Sequence, residues 1–273
     1  FFLQNIVSLS PTFKNCVTLG KIINMNTKSK FLIPILLLSI SMHSQTLTSD
    51  SQQFTRQDTL RGSITPERAW WDLNYYHLDI SVDPKTKTIK GKNTVRYTVL
   101  EPHQTLQIDL QAPMKLTKAI QDGKELVISK DGNAHFITLK KPQSISGNLE
   151  EIELSYEGQP REAVRAPWDG GISWKKDANG NDFIASSCQG LGASVWWPNK
   201  DHMYDEVDSM KISVNVPKQL MNISNGRLES IVENDNETTT YHWVVTNPIN
   251  NYGVNINIGD YVHFSEVYEG EKG

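Results

Sequence analysis

Tyr76-His77-Leu78-Asp79-Ile80-Ser81-Val82 sets large apolar side chains against polar ones at a period of two. Successive side chains of a strand point to opposite faces, so this spacing predicts a strand with one face buried and one in water. Asp83-Pro84-Lys85-Thr86 reads as a turn, and Ile89, Val95, Tyr97 and Val99 then resume the alternation through Lys90, Lys92, Arg96 and Thr98. Further out the signal recurs at Leu106/Ile108/Leu110, Ile152/Leu154/Tyr156, Met210/Ile212/Val214/Val216, Leu228 to Val232, Thr239 to Val245 and Tyr252/Val254/Ile256/Ile258, with a last strand expected from Tyr261 to Val267. Leu126, Ile128, Phe136 and Thr138 flank Lys130-Asp131-Gly132-Asn133, whose Asp-Gly pair is a hairpin signal. From Gly158 to residue 182 the pattern loosens into turn-rich sequence. No long helical stripe interrupts the series. The expected fold is all-β, an antiparallel β-sandwich or saddle-like domain over residues 70–270.

The flanks read differently. Residues 45–69 are rich in Ser, Thr and Gln without apolar periodicity and are expected to form a polar linker or extended arm. Met25 opens a short basic segment, an apolar run follows over 31–42, and His43-Ser44-Gln45 closes it. That order is a secretory signal peptide over 25–44, cleaved near Ser44–Gln45. The run falls short of the roughly 20 apolar residues of a membrane span, so no stable transmembrane segment is expected in the mature form. Residues 1–24 precede the first Met and are read as an upstream leader or gene-boundary artefact; the other reading keeps them and makes the apolar run internal. A net charge of −4 implies no broad polyanion-binding surface, and nucleic acid is not an expected partner. Of the two cysteines, Cys16 lies in the leader, which leaves Cys188 as the one thiol of the mature chain.

Chemistry concentrates at Ser186-Ser-Cys-Gln-Gly-Leu-Gly-Ala-Ser-Val-Trp-Trp-Pro-Asn-Lys-Asp201. Gly190 and Gly192 permit backbone at positive φ. Val195-Trp196-Trp197 is expected to pack as a strand or strand end, stopped by Pro198. Gln189 carries a neutral amide, both donor and acceptor, where it meets the polar end of a ligand or serves as a structural amide in a buried loop. Cys188 is read as a buried, inert side chain, since the sequence places no His partner beside it. Trp196 and Trp197 are read as core or interface residues rather than a carbohydrate-stacking pair. Trp168 and Trp174, in the turn-rich segment, cover this site, cover another domain, or pack internally.

Three stretches, Trp71-Asp72-Leu-Asn-Tyr-Tyr-His-Leu-Asp-Ile80, Ser187-Cys-Gln-Gly to Trp197-Pro-Asn-Lys-Asp201, and Asn250-Asn-Tyr-Gly-Val-Asn-Ile-Asn-Ile-Gly-Asp-Tyr261, resemble in order and spacing the N-terminal β domain of the aminopeptidase N family of zinc metallopeptidases. The resemblance covers about residues 70–267. It implies an enzyme that removes N-terminal residues from peptides, with zinc held by the two His of H-E-x-x-H and a downstream Glu, the motif's own Glu as general base, and a G-x-M-E-N loop on the substrate amine. Neither motif occurs in this sequence. None of His43, His77, His103, His135, His202, His242 and His263 begins H-E-x-x-H, and His202-Met-Tyr-Asp-Glu206, in the wrong order, is read as loop chemistry or a cap.

In the family both motifs lie downstream of the matching region. The resemblance therefore implies no catalytic residue, no metal ligand and no cofactor in this chain, zinc in a catalytic domain outside the sequence, and that domain and a peptide N-terminus as partners. Alone the chain is expected to hydrolyse nothing. The absent initiator and the ending at Gly273 are read as marks of a fragment. The one carried-over site residue is Gln189, whose family counterpart, Gln or Glu, contacts the substrate amine; a second family Gln two positions earlier is replaced by Ser187. Export to the periplasm or medium follows from the signal peptide. The alternative is a stand-alone exported β-sandwich module that binds peptides or glycans.

Overall fold

The period-two stretch lies within β1 (Trp71–Asp83), whose buried side chains are Trp71, Leu73, Tyr76, Leu78, Ile80 and Val82. The buried set changes parity between Leu73 and Tyr76 because the pairing with β2 (Thr88–Val99) slips there, a bulge that keeps both halves facing the core. This is a computed structural model, and it describes residues 53–270. The expectations for a leader at 1–24, a signal peptide at 25–44 and the first part of the linker lie outside the described residues.

The remaining strands are β3 (His103–Asp109), β4 (Lys115–Gln121), β5 (Lys124–Glu125), β6 (Val127–Asp131), β7 (Ala134–Gln143), β8 (Leu149–Gly158), β9 (Gly171–Lys176), β10 (Asp182–Ser187), β11 (Ser209–Pro217), β12 (Met221–Ser224), β13 (Arg227–Asn234), β14 (Thr238–Val245) and β15 (Ile256–Gly259). They form an eight-stranded sheet in the order β13-β14-β11-β1-β2-β8-β4-β5, a four-stranded sheet β12-β15-β10-β9 and a three-stranded sheet β3-β7-β6. The described residues are mostly β, and the pairings between these strands are antiparallel with one exception: β1 and β11 run parallel, Tyr76 beside Met210 and Ile80 beside Val214. Buried side chains from all three sheets join in one core. The Asp-Gly hairpin forms as read, Asp131 pairing Ala134 across Gly132-Asn133 with Gly132 at φ 60°. On the other side of the large sheet the strands are polar; Ser213 there sits between His77 (2.9 Å) and His242 (2.8 Å).

Four sequence expectations are corrected. The described part of the 45–69 linker is not an extended arm: it holds α1 (Arg56–Gly62) and α2 (Pro66–Ala69). No apolar stripe announces α1, because Leu60 is its single buried residue. It is held instead by a capping box of Thr55 and Asp58, and at its far end by Arg68, whose guanidinium donates to the carbonyls of Ser63 and Arg61. Val195-Trp196-Trp197 is not a strand; Ala193–Val195 is a 3-10 turn. The alternation from Tyr252 yields only β15, since Asn251–Gly253 is a second 3-10 turn. Residues 261–270 form no strand and are mostly exposed. Conversely, β9 and β10 arise in and after the turn-rich segment, where Gly171, Ile172 and Ser173 are all buried and no period of two is visible.

Two buried ion pairs fix the elements around the 186–201 stretch. Arg68 meets Asp109 at 2.5 Å with both side chains buried, and Asp109 also accepts from Gln107 at 2.9 Å and from the Asp201 amide at 3.2 Å. Lys200 is fully buried; its ammonium lies 2.5 Å from Asp205, donates to the Trp71 carbonyl at 2.6 Å and stands 3.9 Å from the centre of the Trp71 ring. Burial pulls the Lys200 ammonium down to about 8, against the pull of Asp205, and pushes the Asp205 carboxyl up, against the pull of Lys200. Both directions say that desolvation opposes the charges and that each is tolerated only through its partner. Lys200→Met is therefore expected to cost about 3–5 kcal/mol by leaving a buried carboxylate unpaired. Lys200→Met with Asp205→Asn is expected to regain most of that. Urea denaturation of the two variants checks this, and equal losses would reject it.

Candidate functional site

Residues 186–201 descend from strand to turn to core. After β10 the Cys188 carbonyl accepts from the amides of Leu191 (3.1 Å) and Gly192 (2.8 Å), closing a tight turn over Gln189 and Gly190. Gly190 at φ 72° and Gly192 at φ 84° supply the left-handed backbone that the turn needs. At Gly192 a Cβ would run into the Asp201 carboxylate. That carboxylate accepts from the amides of Ala193 (3.3 Å) and Ser194 (3.0 Å) and so caps the 3-10 turn. Trp196 and Trp197 are fully buried, Trp197 edge-on to Tyr76 at 5.1 Å, which settles them as core. Asn199 then forms a bridge with Asp109 through both backbone groups.

The three stretches singled out in the sequence meet here. The Lys200 amide donates to the Tyr76 hydroxyl at 2.9 Å, and the Asn251 side chain donates to the Lys200 carbonyl at 2.7 Å and to Asn199 Oδ1 at 3.2 Å. Asn250 caps the second 3-10 turn by accepting from the Tyr252 amide at 2.9 Å. This leaves Asn251 inward and Tyr252 outward, where its hydroxyl donates to Gln189 Oε1. Gln189 itself is exposed. It lines a groove of about 350 Å³ with Trp168, Ser187, Cys188, Tyr252 and Asn255. A larger groove of about 990 Å³ adjoins it across Tyr252 and Gly253, walled by Phe54, Arg61, His202 and Met203.

Two residues at this site, Tyr252 and Arg61, were not legible as functional, whereas Trp168 was already a candidate to cover it. Tyr252 reads as an inward strand residue, although Asn250 two positions earlier is a capping signal. Arg61, in the supposed linker, donates to the Gly190 carbonyl at 2.8 Å. Trp168 is 79% exposed on a loop tied down by Asp169, which accepts from the amides of Val164 and Arg165, and by Ser187, which donates to the Pro167 carbonyl. Trp174 is partly buried against the core. His202 accepts from the Tyr204 amide and turns Nε2 to the Gly62 carbonyl at 3.2 Å, holding the loop to the end of α1. Among the described residues no group of three or more His, Cys, Asp or Glu side chains is placed to hold a metal, so these residues do not fit a zinc ion.

A model of the peptidase M1 N-terminal domain matches residues 73–252, and the chain belongs to this family of domains, found in zinc metallopeptidases. Solved structures share the fold. The M1 zinc metallopeptidase from Deinococcus radiodurans is 19% identical, with a TM-score of 0.57 over 71% of this chain and 43% of that one. A mutant of an M1 zinc metallopeptidase from the same organism, bound to a Tyr-Ser-Ala substrate, is 21% identical, with a TM-score of 0.59 over 73% and 45%. Leukotriene A4 hydrolase from Saccharomyces cerevisiae is 15% identical, with a TM-score of 0.54 over 70% and 29%. No curated protein matches the chain. The chain thus spans less than half the length of these enzymes.

Burial raises the Cys188 thiol to about 12, and the side chain is 5% exposed. A thiol in that state is a packing group, not a nucleophile. Alkylation by iodoacetamide at pH 8 is expected to run at least about a hundredfold slower in the folded protein than in urea, because the thiolate fraction falls with each unit of pKa. Equal rates would make Cys188 a reactive thiol and overturn this reading.

Proposed function

We propose that this domain is the non-catalytic N-terminal part of a zinc aminopeptidase and that it lends Gln189 to the site that receives the free amine of a peptide. The observation that carries this reading is the placement of Gln189. It is exposed on a turn directly after the buried Cys188, beside an open groove, in a chain of the M1 N-terminal family. An amide oxygen accepts from an ammonium group without adding a charge of its own. Selection of a free N-terminus needs an acceptor at a fixed place more than it needs a strong one. The relative bound to Tyr-Ser-Ala is consistent with a peptide substrate. Zinc, which supplies the activated water in such enzymes, belongs in this reading to the catalytic domain, since the residues described here do not fit it.

The same reading makes that catalytic domain the partner of this one. Phe54 and Trp168 are each 79% exposed and Met203 is 81% exposed, all at the rims of the two grooves. Apolar side chains clustered in this way support a covered face rather than a free one. Export rests on residues 25–44 alone: a basic start, a short apolar run and a small residue at its exit. The residues of the structure add only that no helix among them is long and apolar enough to cross a membrane.

Two measurements test this. In the full-length enzyme Gln189→Ala is expected to lower kcat/KM for peptides with a free N-terminus by about 1–3 kcal/mol, the scale of a hydrogen bond to a charged group. An unchanged kcat/KM would remove Gln189 from the site. N-terminal sequencing of the exported protein is expected to begin near Gln45; a start at or before Met25 would sink the export reading.

A further inference from the structure

Gln189 and Tyr252 are each the outward neighbour of a buried anchor. Cys188, one position before Gln189, is 5% exposed, and its carbonyl closes the turn. Asn251, one position before Tyr252, is also 5% exposed and is bonded to Asn199 and Lys200. Each side chain projects outward from its turn, and the hydroxyl of Tyr252 meets the amide oxygen of Gln189. The backbone under the pair is braced twice more. Arg61 of α1 donates to the Gly190 carbonyl at 2.8 Å, and Asn250 caps the Tyr252 amide at 2.9 Å. Both side chains stay accessible, Tyr252 being 49% exposed.

We propose that Tyr252 is a positioning residue for Gln189, holding the amide by its hydroxyl so that one lone pair of Oε1 remains for the substrate amine. This rests on the reading of Gln189 as the residue that meets that amine. An exposed Gln on a turn samples many rotamers, and freezing it on binding opposes association. A hydroxyl that donates to Oε1 before the substrate arrives restricts the side chain in advance. Tyrosine suits the task because its ring is rigid and only its hydroxyl must be placed. The effect falls on ground state and transition state alike, because the amide is held the same way in both. It therefore belongs mainly in KM.

The test is a double-mutant cycle in the full-length enzyme, with kcat and KM measured on a peptide with a free N-terminus. Tyr252→Phe is expected to raise KM about tenfold and leave kcat within about twofold, the scale of one hydrogen bond. It should not change Tm, and it should add nothing once Gln189→Ala is present. A lowered Tm, or a loss that adds fully to that of Gln189→Ala, would make Tyr252 a structural residue or an independent contact and overturn the proposal while sparing Gln189. A silent Tyr252→Phe beside an impaired Gln189→Ala overturns it in the same way. A silent Gln189→Ala overturns both readings. A second readout does not depend on binding strength. In a Gln189→Glu background the Tyr252 hydroxyl stabilises the new carboxylate, so adding Tyr252→Phe should move the acid limb of the kcat/KM profile to higher pH. An unmoved limb counts against the contact.

Discussion

Lys200 is the point on which the site depends. A buried ammonium must be paired and its protons placed, or desolvation expels it. Asp205 and the Trp71 carbonyl receive it, and the Trp71 ring lies beneath it. Satisfying that one side chain brings together the start of β1, the loop that follows the tryptophan pair and the segment up to Asp205. The backbone of the same residue donates to Tyr76 and accepts from Asn251. Three stretches far apart in sequence are thus fastened at one residue, and what projects from their outer side, Gln189 and Tyr252, inherits its position from that fastening.

How much of this was legible follows from what each contact depends on. Strands with one wet face write their burial into a period of two, and β1, β2, β3, β8 and β11 could be read directly. Elements buried on both faces write nothing of the kind, and β9 went unread because three successive residues are inside. The helices α1 and α2 were lost for the opposite reason. Their attachment is polar, running through Thr65, Gln107, Arg68 and Asp109, and a polar attachment looks like a linker when only hydrophobicity is followed. Local capping signals were nonetheless present: Thr55 with Asp58, and Thr65 before Pro66. The tryptophan pair misled in a third way. Its aromatic, β-branched run suggests a strand, but the conformation is dictated by the Asp201 carboxylate holding two amides from further along the chain.

The candidate site divides along the same line. Gln189 stands out in the sequence because a neutral amide between a thiol and a glycine can meet the polar end of a ligand and because three stretches match one family in order. Its surroundings were out of reach. Nothing in the spacing of Gln189 and Tyr252, 63 positions apart, says that they touch. The pairing is produced by the anchors behind them, and those anchors are held by the buried network around Lys200 and Asn199.

This ordering has a physical consequence for how such a half-site works. On the proposed reading this groove wall meets a second domain, and it cannot draw its rigidity from that domain, since the contact forms only on assembly. Here rigidity is generated from behind: Cys188 and Asn251 are inside, Asp201 caps, Arg61 braces the turn, and the tips of Gln189 and Tyr252 face the groove. The apolar rim of Phe54, Trp168 and Met203 can then be covered without moving the polar tips between them. Stability of the domain and geometry of the site are, on this arrangement, supplied by the same buried groups. Substitutions deep in the network, at Lys200 or Asn199, act on the site through its foundations, whereas substitutions at Gln189 or Tyr252 act on it alone.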